Sequence, residues 1–172
     1  QRQMCIRDSN YEVGVYSDIN HWLQLNGSVF YTYSKLGSDL KIENGFWVVN
    51  RTPQKVYGVE LSADAQILSN LKAGANLSWF EGKLKSATGD WDTYMSNISI
   101  PAAKLAMYVN YAPVKNTYLQ LQYMHTGKRD RFTPNASGVY NEGEGIVNRI
   151  NLLNLTAGVK MKACDLSLAV SN

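Results

Sequence analysis

The stretch YGVELSADAQI, residues 57–67, decides the fold because apolar and polar side chains alternate through it without interruption. In a β-strand successive side chains point to opposite faces, so this stretch has one apolar face and one polar face. The same alternation recurs in about eight segments of the chain. Strands of this kind, repeated along a chain, are typical of a β-barrel that lies in a membrane.

The connections between the predicted strands are alternately short and long. Ser69-Asn70 is a two-residue turn, whereas the connections at about residues 35–53, 85–99 and 132–148 are long. Membrane barrels have tight turns at one end and long loops at the other, whereas the Greek-key connections of a soluble β-sandwich mix the two lengths. The pattern therefore predicts an all-β fold, an antiparallel up-and-down segment of a transmembrane β-barrel.

Composition and charge exclude several other classes. The 172 residues contain no uninterrupted apolar run of the length that a transmembrane helix needs, about 20 residues. The net charge of +3 is small and spread along the chain, which argues against a nucleic-acid partner. Cys5 and Cys164 are far apart and have no metal or redox spacing around them. We therefore expect no metal site and no cofactor in this chain.

The charged residues of the predicted strands fall on the polar faces. A basic side chain that faces lipid near the middle of the membrane costs about 2–4 kcal/mol. The polar faces must therefore line a wet lumen or contact a plug, which is typical of a wide barrel. The residues concerned are Glu60, Asp64, Lys72, Lys104, Lys160 and Lys162.

The beginning of the chain differs from the rest. Residues 1–9 resemble a translated sequencing adapter of the kind that contaminates the ends of assembled fragments. We expect this segment to be an artefact and the natural start of the protein to lie elsewhere. Residues 10–172 are then expected to form part of a barrel domain.

Several motifs in this order resemble the C-terminal barrel of the TonB-dependent outer-membrane receptors, the siderophore-receptor type in particular. Residues 56–63 resemble the family's strand with a Gly-x-Glu core, and residues 100–105 its Pro-x-x-Lys strand start. Residues 127–132 resemble its Arg-Asp-x-Phe stretch at a strand top, and residues 152–172 its penultimate hairpin. The resemblance implies about eight strands of a barrel of roughly 22 strands. The plug domain and the TonB box of the family are not found in this chain.

The resemblance also implies a function and a location. It implies part of an active transporter, not an enzyme, in the outer membrane of a Gram-negative bacterium. Such a transporter binds and imports a metal chelate, and a ferric siderophore is the expected substrate. The energy would come from the TonB complex through the missing plug, and the surrounding outer-membrane lipid would be a further partner.

Candidate ligand-binding residues lie in the predicted long loops and at one strand top, because loop residues carry function more often than strand residues. The basic cluster that includes Lys128 could attract an anionic metal chelate or the phosphates of outer-leaflet lipid, or it could be an ordinary solvated strand top. The candidates are Trp47, Trp91, Tyr94, Arg129, Arg131 and Tyr140.

Two alternatives remain open from the sequence. The first is a complete small barrel of eight strands that acts as a structural or adhesion protein. The second is an outer-membrane hydrolase centred on His125. The parity of its strand places His125 on the outward face, and no positioned nucleophile accompanies it, so we expect no catalytic residue.

Overall fold

The structure, a computed structural model, describes residues 8–86, 88–97, 99–131 and 145–172, with the backbone alone for residues 38–43 and 50. No helix in those ranges is long and apolar enough to cross a membrane. The strands are β1 Asp8–Ile19, β2 Leu23–Glu43, β3 Phe46–Leu68, β4 Leu71–Leu84, β5 Thr93–Tyr94, β6 Lys104–Tyr111, β7 Thr117–Thr126, β8 Ile150–Lys160 and β9 Asp165–Ser171.

The strands form one antiparallel sheet in which chain order is also spatial order. The path runs β1-β2-β3-β4-β6-β7-β8-β9, and the short strand β5 pairs with β4 beside this path. This meander confirms the predicted all-β, up-and-down architecture. Within the described residues β1 and β9 do not pair with each other, so the sheet is open. The alternative of a complete, closed eight-stranded barrel is therefore not the structure that is observed.

The first strand begins inside the segment that we expected to be an artefact. Asp8 and Ser9 pair with Ser34 and Tyr33 of β2, while residues 1–7 lie outside the described part of the chain. Backbone hydrogen bonds of a ladder do not depend on the side chain of any residue except proline, so a short unrelated segment can extend a strand in this way. The origin of residues 1–9 stays a prediction.

The two faces of the sheet differ as the alternation predicts. One row of paired residues across the sheet is apolar in every strand from β2 to β9 except the short β5. Many large apolar side chains of this face are exposed, among them Leu61 at 48% and Leu155 at 41%. The neighbouring row on the opposite face is mostly polar. The apolar row contains Leu23, Ala65, Ala73, Val109, Leu121, Leu155 and Val170, and the polar row contains Gln24, Asp64, Gly74, Tyr108, Gln122, Asn154 and Ser171.

The connection predicted at residues 35–53 is a hairpin rather than an irregular loop. β2 and β3 continue past the sheet and meet at a two-residue turn, Asn44-Gly45, where φ is 53° and 81°. A Cβ disfavours positive φ, and Asn and Gly are the residues that adopt it most readily. Asn-Gly between strands is a strong hairpin signal, and the sequence interpretation overlooked it. The ladder shifts register once, between Ser34 and Gly37.

The second long connection folds back onto the strand tops. The β4–β6 ladder ends at the pair Ser78 and Lys104, and beyond it β5 takes the place of β6 beside β4. The amide of Met95 donates to the carbonyl of Gly82 at 2.9 Å. A small apolar core forms here on the polar-face side of β4, from Leu84, Met95 and Ile100 with Val56 and Phe80 packed against it.

Aromatic rings cover glycines of neighbouring strands on the polar face. A Cβ added to Gly74 would lie 2.5 Å from the ring of Tyr108, and one added to Gly158 would overlap the ring of Tyr118. These contacts are too short for any side chain larger than hydrogen, so the rings lie flat across the sheet. This packing of a ring over a glycine fixes the register of the strands concerned.

Candidate functional site

A polar groove of about 300 Å³ runs across the strands β2, β3, β4 and β6 on the polar face. The register of the sheet assembles it, because residues that are paired across an antiparallel ladder point to the same side. It therefore combines hydroxyl, amide and charged groups on one rigid surface. The polar side chains that line it are Asn26, Ser28, Glu60, Ser62, Asn76, Ser78 and Lys104.

The groove carries charges of both signs. Glu60, Ser78 and Lys104 are consecutive partners in one row, so the strands that bear the carboxylate and the ammonium are about 10 Å apart at the usual strand spacing. Neither charged group forms an ion pair with any residue that the structure describes. Both remain available to hydrogen-bond a polar solute.

A second set of charged groups on this face forms an ion pair and is therefore neutral as a whole. Lys72 lies 3.8 Å from the Asp64 carboxylate, to which the hydroxyl of Tyr108 also donates. The Lys72 ammonium is 6.0 Å from the centre of the Tyr108 ring. In the described ranges no group of three or more His, Cys, Asp or Glu residues is placed to hold a metal ion. What the described part of the polar face offers to a solute is therefore hydrogen-bonding groups rather than a metal site.

A buried ion pair closes the strand tops. Both terminal nitrogens of Arg129 donate to Oε1 of Glu81 at 3.1 Å, and Nη2 also donates to the carbonyl of Met95 at 3.1 Å. The amide of Gly82 donates to the same Oε1 at 3.0 Å. The two charged side chains are only 6% and 4% exposed. This network connects β4, the second long connection and the segment after β7.

The predicted basic cluster is therefore divided by the structure. Arg129 is already paired with Glu81, and its backbone bridges Val147. Lys128 forms an exposed ion pair with Asp130 at 2.8 Å, and the hydrogen bond from this ammonium lowers the pKa of the Asp130 carboxyl. Arg131 is exposed. Of the two predicted arginines, only Arg131 presents an accessible guanidinium to a ligand.

The aromatic candidates are not brought together. Trp47 is 59% exposed beside Phe46 at the tip of the β2–β3 hairpin. Trp91 and Tyr94 contact Lys55 and Lys83, which have the parity of the apolar face. Tyr140 lies outside the described residues. A role of these residues in ligand binding stays a prediction.

His125 lies on the apolar-face parity at the top of β7, as predicted. Its Nδ1 is 2.7 Å from Oδ1 of Asn151, and the hydroxyl of Tyr123 donates to the same oxygen at 2.9 Å. An amide and a phenol provide no carboxylate that would orient a histidine base. The geometry favours a polar cluster at the edge of the apolar band.

Sequence reasoning missed the residues that organise the strand tops, namely Glu81, Met95, Lys55 and Lys83. Alternation alone could have placed Lys55 and Lys83 on the apolar face, which is an unusual position for a lysine. No local signal pairs Glu81 with Arg129, because 48 residues separate them in the chain.

Comparison with known proteins gives the context for this sheet. Residues 8–172 match the family described as TonB dependent receptor-like, beta-barrel. The chain belongs to the TonB-dependent receptor family. Members of this family are transporters of the Gram-negative outer membrane and not enzymes, which speaks against the hydrolase alternative. The apolar face of the receptor sheet therefore faces lipid and the polar face the lumen, with the short turns at the periplasmic end.

Solved structures with the same fold extend well beyond this sequence. The copper transporter OprC superimposes with a TM-score of 0.78 at 16% identity over 96% of this chain. The ferric-catecholate import receptor Fiu from E. coli K12 superimposes with a TM-score of 0.69 at 14% identity over 96% of this chain. The FrpB iron transporter from Neisseria meningitidis superimposes with a TM-score of 0.68, also at 14% identity over 96% of this chain. The chain covers 25%, 23% and 26% of these structures, about a quarter of each.

Proposed function

We propose that the receptor imports a metal chelate, a ferric siderophore in the first instance, through the outer membrane with energy from the TonB complex. Family membership supports the general activity. The substrate class is supported by the names of the similar structures, which include a copper transporter, a ferric-catecholate import receptor and an iron transporter. The observation that carries the proposal is the polar lumen groove, with Glu60 and Lys104 unpaired on one face among the described residues.

The groove suits a chelate for reasons of size and chemistry. Its volume of about 300 Å³ is at the lower end of the range of small-molecule sites. A metal chelate presents carbonyl, hydroxyl and charged oxygen atoms, which hydroxyl, amide and ammonium groups can hydrogen-bond. In this proposal the groove is the passage along the wall, and the plug of the full-length receptor supplies the opposite side and the coupling to TonB.

The β2–β3 hairpin is proposed as the first contact on the outside. Its tip presents Phe46, 75% exposed, and Trp47, 59% exposed, beyond the top of the sheet. Exposed aromatic rings on a rigid hairpin bind the planar parts of a ligand at a low entropy cost. Arg131 and Tyr140 belong to the same proposal as further external contacts.

The test is binding and uptake of ⁵⁵Fe-labelled siderophores by cells that make the full-length receptor, with and without TonB. We expect surface binding in both strains and accumulation only with TonB. Glu60→Gln combined with Lys104→Gln should lower uptake about tenfold, and Trp47→Ala should weaken binding about tenfold. The matched controls are Lys115→Gln in a periplasmic turn and Trp22→Ala, 47% exposed at the periplasmic end.

Each outcome identifies the part of the proposal that fails. If cells accumulate ⁶⁴Cu chelates but no ⁵⁵Fe-labelled siderophore, the siderophore is the wrong substrate, while the proposal that the receptor imports a metal chelate still holds. Equal accumulation in the strain without TonB would overturn energised import. An effect of Lys115→Gln as large as that of the groove variant would remove the groove from the pathway.

A further inference from the structure

A row of lysines and aromatic rings crosses the lipid-facing side of the receptor at its outer end. Tyr33, Lys55, Lys83 and Tyr94 are consecutive partners on β2, β3, β4 and β5. Directly paired residues point to the same face, and this row has the parity of the lipid-facing residues. Two lysines on that face need an explanation, because a basic side chain that faces lipid has a free-energy cost that depends on its depth in the membrane.

The rings hold the two ammonium groups in place. Nζ of Lys55 is 4.7 Å from the centre of the Trp91 ring, and Nζ of Lys83 is 4.8 Å from the centre of the Tyr94 ring. Trp91 in turn lies edge-on to Tyr33, with 6.1 Å between the ring centres. These contacts orient the cations but do not neutralise them.

The positive charge of the Lys55 and Lys83 pair is not balanced by any residue in the described ranges. Lys55 and Lys83 are direct partners, so their Cβ atoms are about 5 Å apart, and like charges in this arrangement repel. Neither lysine forms an ion pair within the described parts of the chain. Glu81, in the next row on this face, is buried and already bound by Arg129. Among the residues that the structure describes, the row therefore carries two positive charges without a counter-anion.

The height of the row identifies where that anion comes from. β4 runs from Leu71 at the periplasmic turn to Leu84, with Lys83 as its penultimate residue. At the usual rise and a tilt of about 45°, Lys83 lies about 30 Å above Leu71 along the membrane normal. The apolar band of an outer-membrane barrel is about 25 Å tall. The ammonium groups therefore lie at the depth of the outer-leaflet headgroups.

We propose that Lys55 and Lys83, with Trp91 and Tyr94, bind the phosphate group of an anionic outer-leaflet glycolipid. We call these residues the rim lysine site. The phosphate bridges the two ammonium groups and removes their repulsion, while the rings contact the apolar faces of the sugar. The site concerns the lipid around the barrel and is independent of the transported substrate. Its location explains why two aromatic residues expected to bind cargo lie on the outside of the wall.

The test is native mass spectrometry of the full-length receptor in a non-ionic detergent, titrated with diphosphorylated lipid A. We expect a saturable adduct that becomes at least tenfold weaker in the variant Lys55→Gln with Lys83→Gln. The matched control is Lys72→Gln with Lys160→Gln, since these lysines also lie over tyrosine rings, at 6.0 and 5.8 Å, but on the lumen face. The control should change the affinity less than twofold.

A second arm needs no variant and covers the case in which the rim variant does not assemble. Lipid A from which both phosphates have been removed should bind the unaltered receptor at least tenfold more weakly. Equal binding of the two lipids would overturn the proposal. An equal loss of affinity in the rim and control variants would also overturn it, because charge in general would then be responsible.

Discussion

The buried pair of Glu81 and Arg129 makes a sharp prediction about the strand tops. In Arg129→Met the side chain keeps most of its apolar volume but loses three hydrogen bonds of 3.1 Å, two to Oε1 of Glu81 and one to the carbonyl of Met95. The Glu81 carboxylate then remains buried without its cation. Removing one partner of a buried pair costs about 3–5 kcal/mol.

Most of this cost should appear as local opening of the second long connection. The amides of Gly82 and Met95 report it directly, because the first donates to Glu81 and the second to the Gly82 carbonyl. A loss of about 3–5 kcal/mol increases the equilibrium constant for opening by a factor between about a hundred and a few thousand. Hydrogen exchange of the peptide that covers residues 82–95, measured by mass spectrometry in the full-length receptor, gives this factor.

The neighbouring exposed pair provides the control. Lys128 and Asp130 are 2.8 Å apart, but their side chains are 50% and 47% exposed, and solvent screens an exposed pair so that it contributes little to stability. Lys128→Met should change the exchange less than about fivefold. If Arg129→Met has no larger effect than this control, the argument from burial is wrong. The double variant Glu81→Leu with Arg129→Met should exchange more slowly in this peptide than Arg129→Met alone, because it leaves no buried charge unpaired.

Three further predictions follow from the described contacts. Gly74→Ala places a Cβ 2.5 Å from the ring of the tyrosine that covers it and should lower the free energy of unfolding by about 1–3 kcal/mol in urea titrations, whereas Gly14→Ala, with 3.7 Å to the nearest atom, should not. Gly45→Val, at φ 81°, should loosen the β2–β3 hairpin and speed amide exchange at its tip. Lys128→Met should raise the pKa of Asp130 in an NMR titration, because the ammonium that lowers it is lost. In the unaltered receptor the pair stabilises the fold fully at pH values above the ordinary carboxyl pKa. This stabilisation is lost as the pH falls through the lowered pKa of Asp130.

The sequence was sufficient to predict the wall. Alternation of polar and apolar residues has a period of two, which matches only a strand, and a slip of one residue would turn every apolar side chain of that strand towards the lumen. The identity of the strands, their antiparallel order and the two faces were therefore determined locally. The turn Asn44-Gly45 is equally local, because Asn-Gly between two strands is by itself a hairpin signal.

The strand tops could not be predicted in the same way. Which face Trp91 and Tyr94 take depends on β5, a strand of two residues that no periodic pattern can reveal. The burial of Arg129 depends on a carboxylate 48 residues earlier in the chain and on the end of the β4–β6 ladder. A basic residue near other basic residues in sequence is therefore a weak indication of a ligand site.

The end of the β4–β6 ladder explains why Glu81 is tolerated at a position with lipid-facing parity. Beyond Ser78 and Lys104, β4 has β5 at its side only from Lys83 onward, and apart from the bond between Met95 and the Gly82 carbonyl this leaves a gap in the ladder beside Glu81. The carboxylate accepts the amide of Gly82 in this gap, and Arg129 reaches across from the segment after β7 to neutralise it. Side chains thus replace the missing backbone ladder. The ion pair is therefore one part of what holds the second long connection, together with the β4–β5 ladder and the backbone bond from Met95 to Gly82, while the strands below are held by the ladders of the sheet.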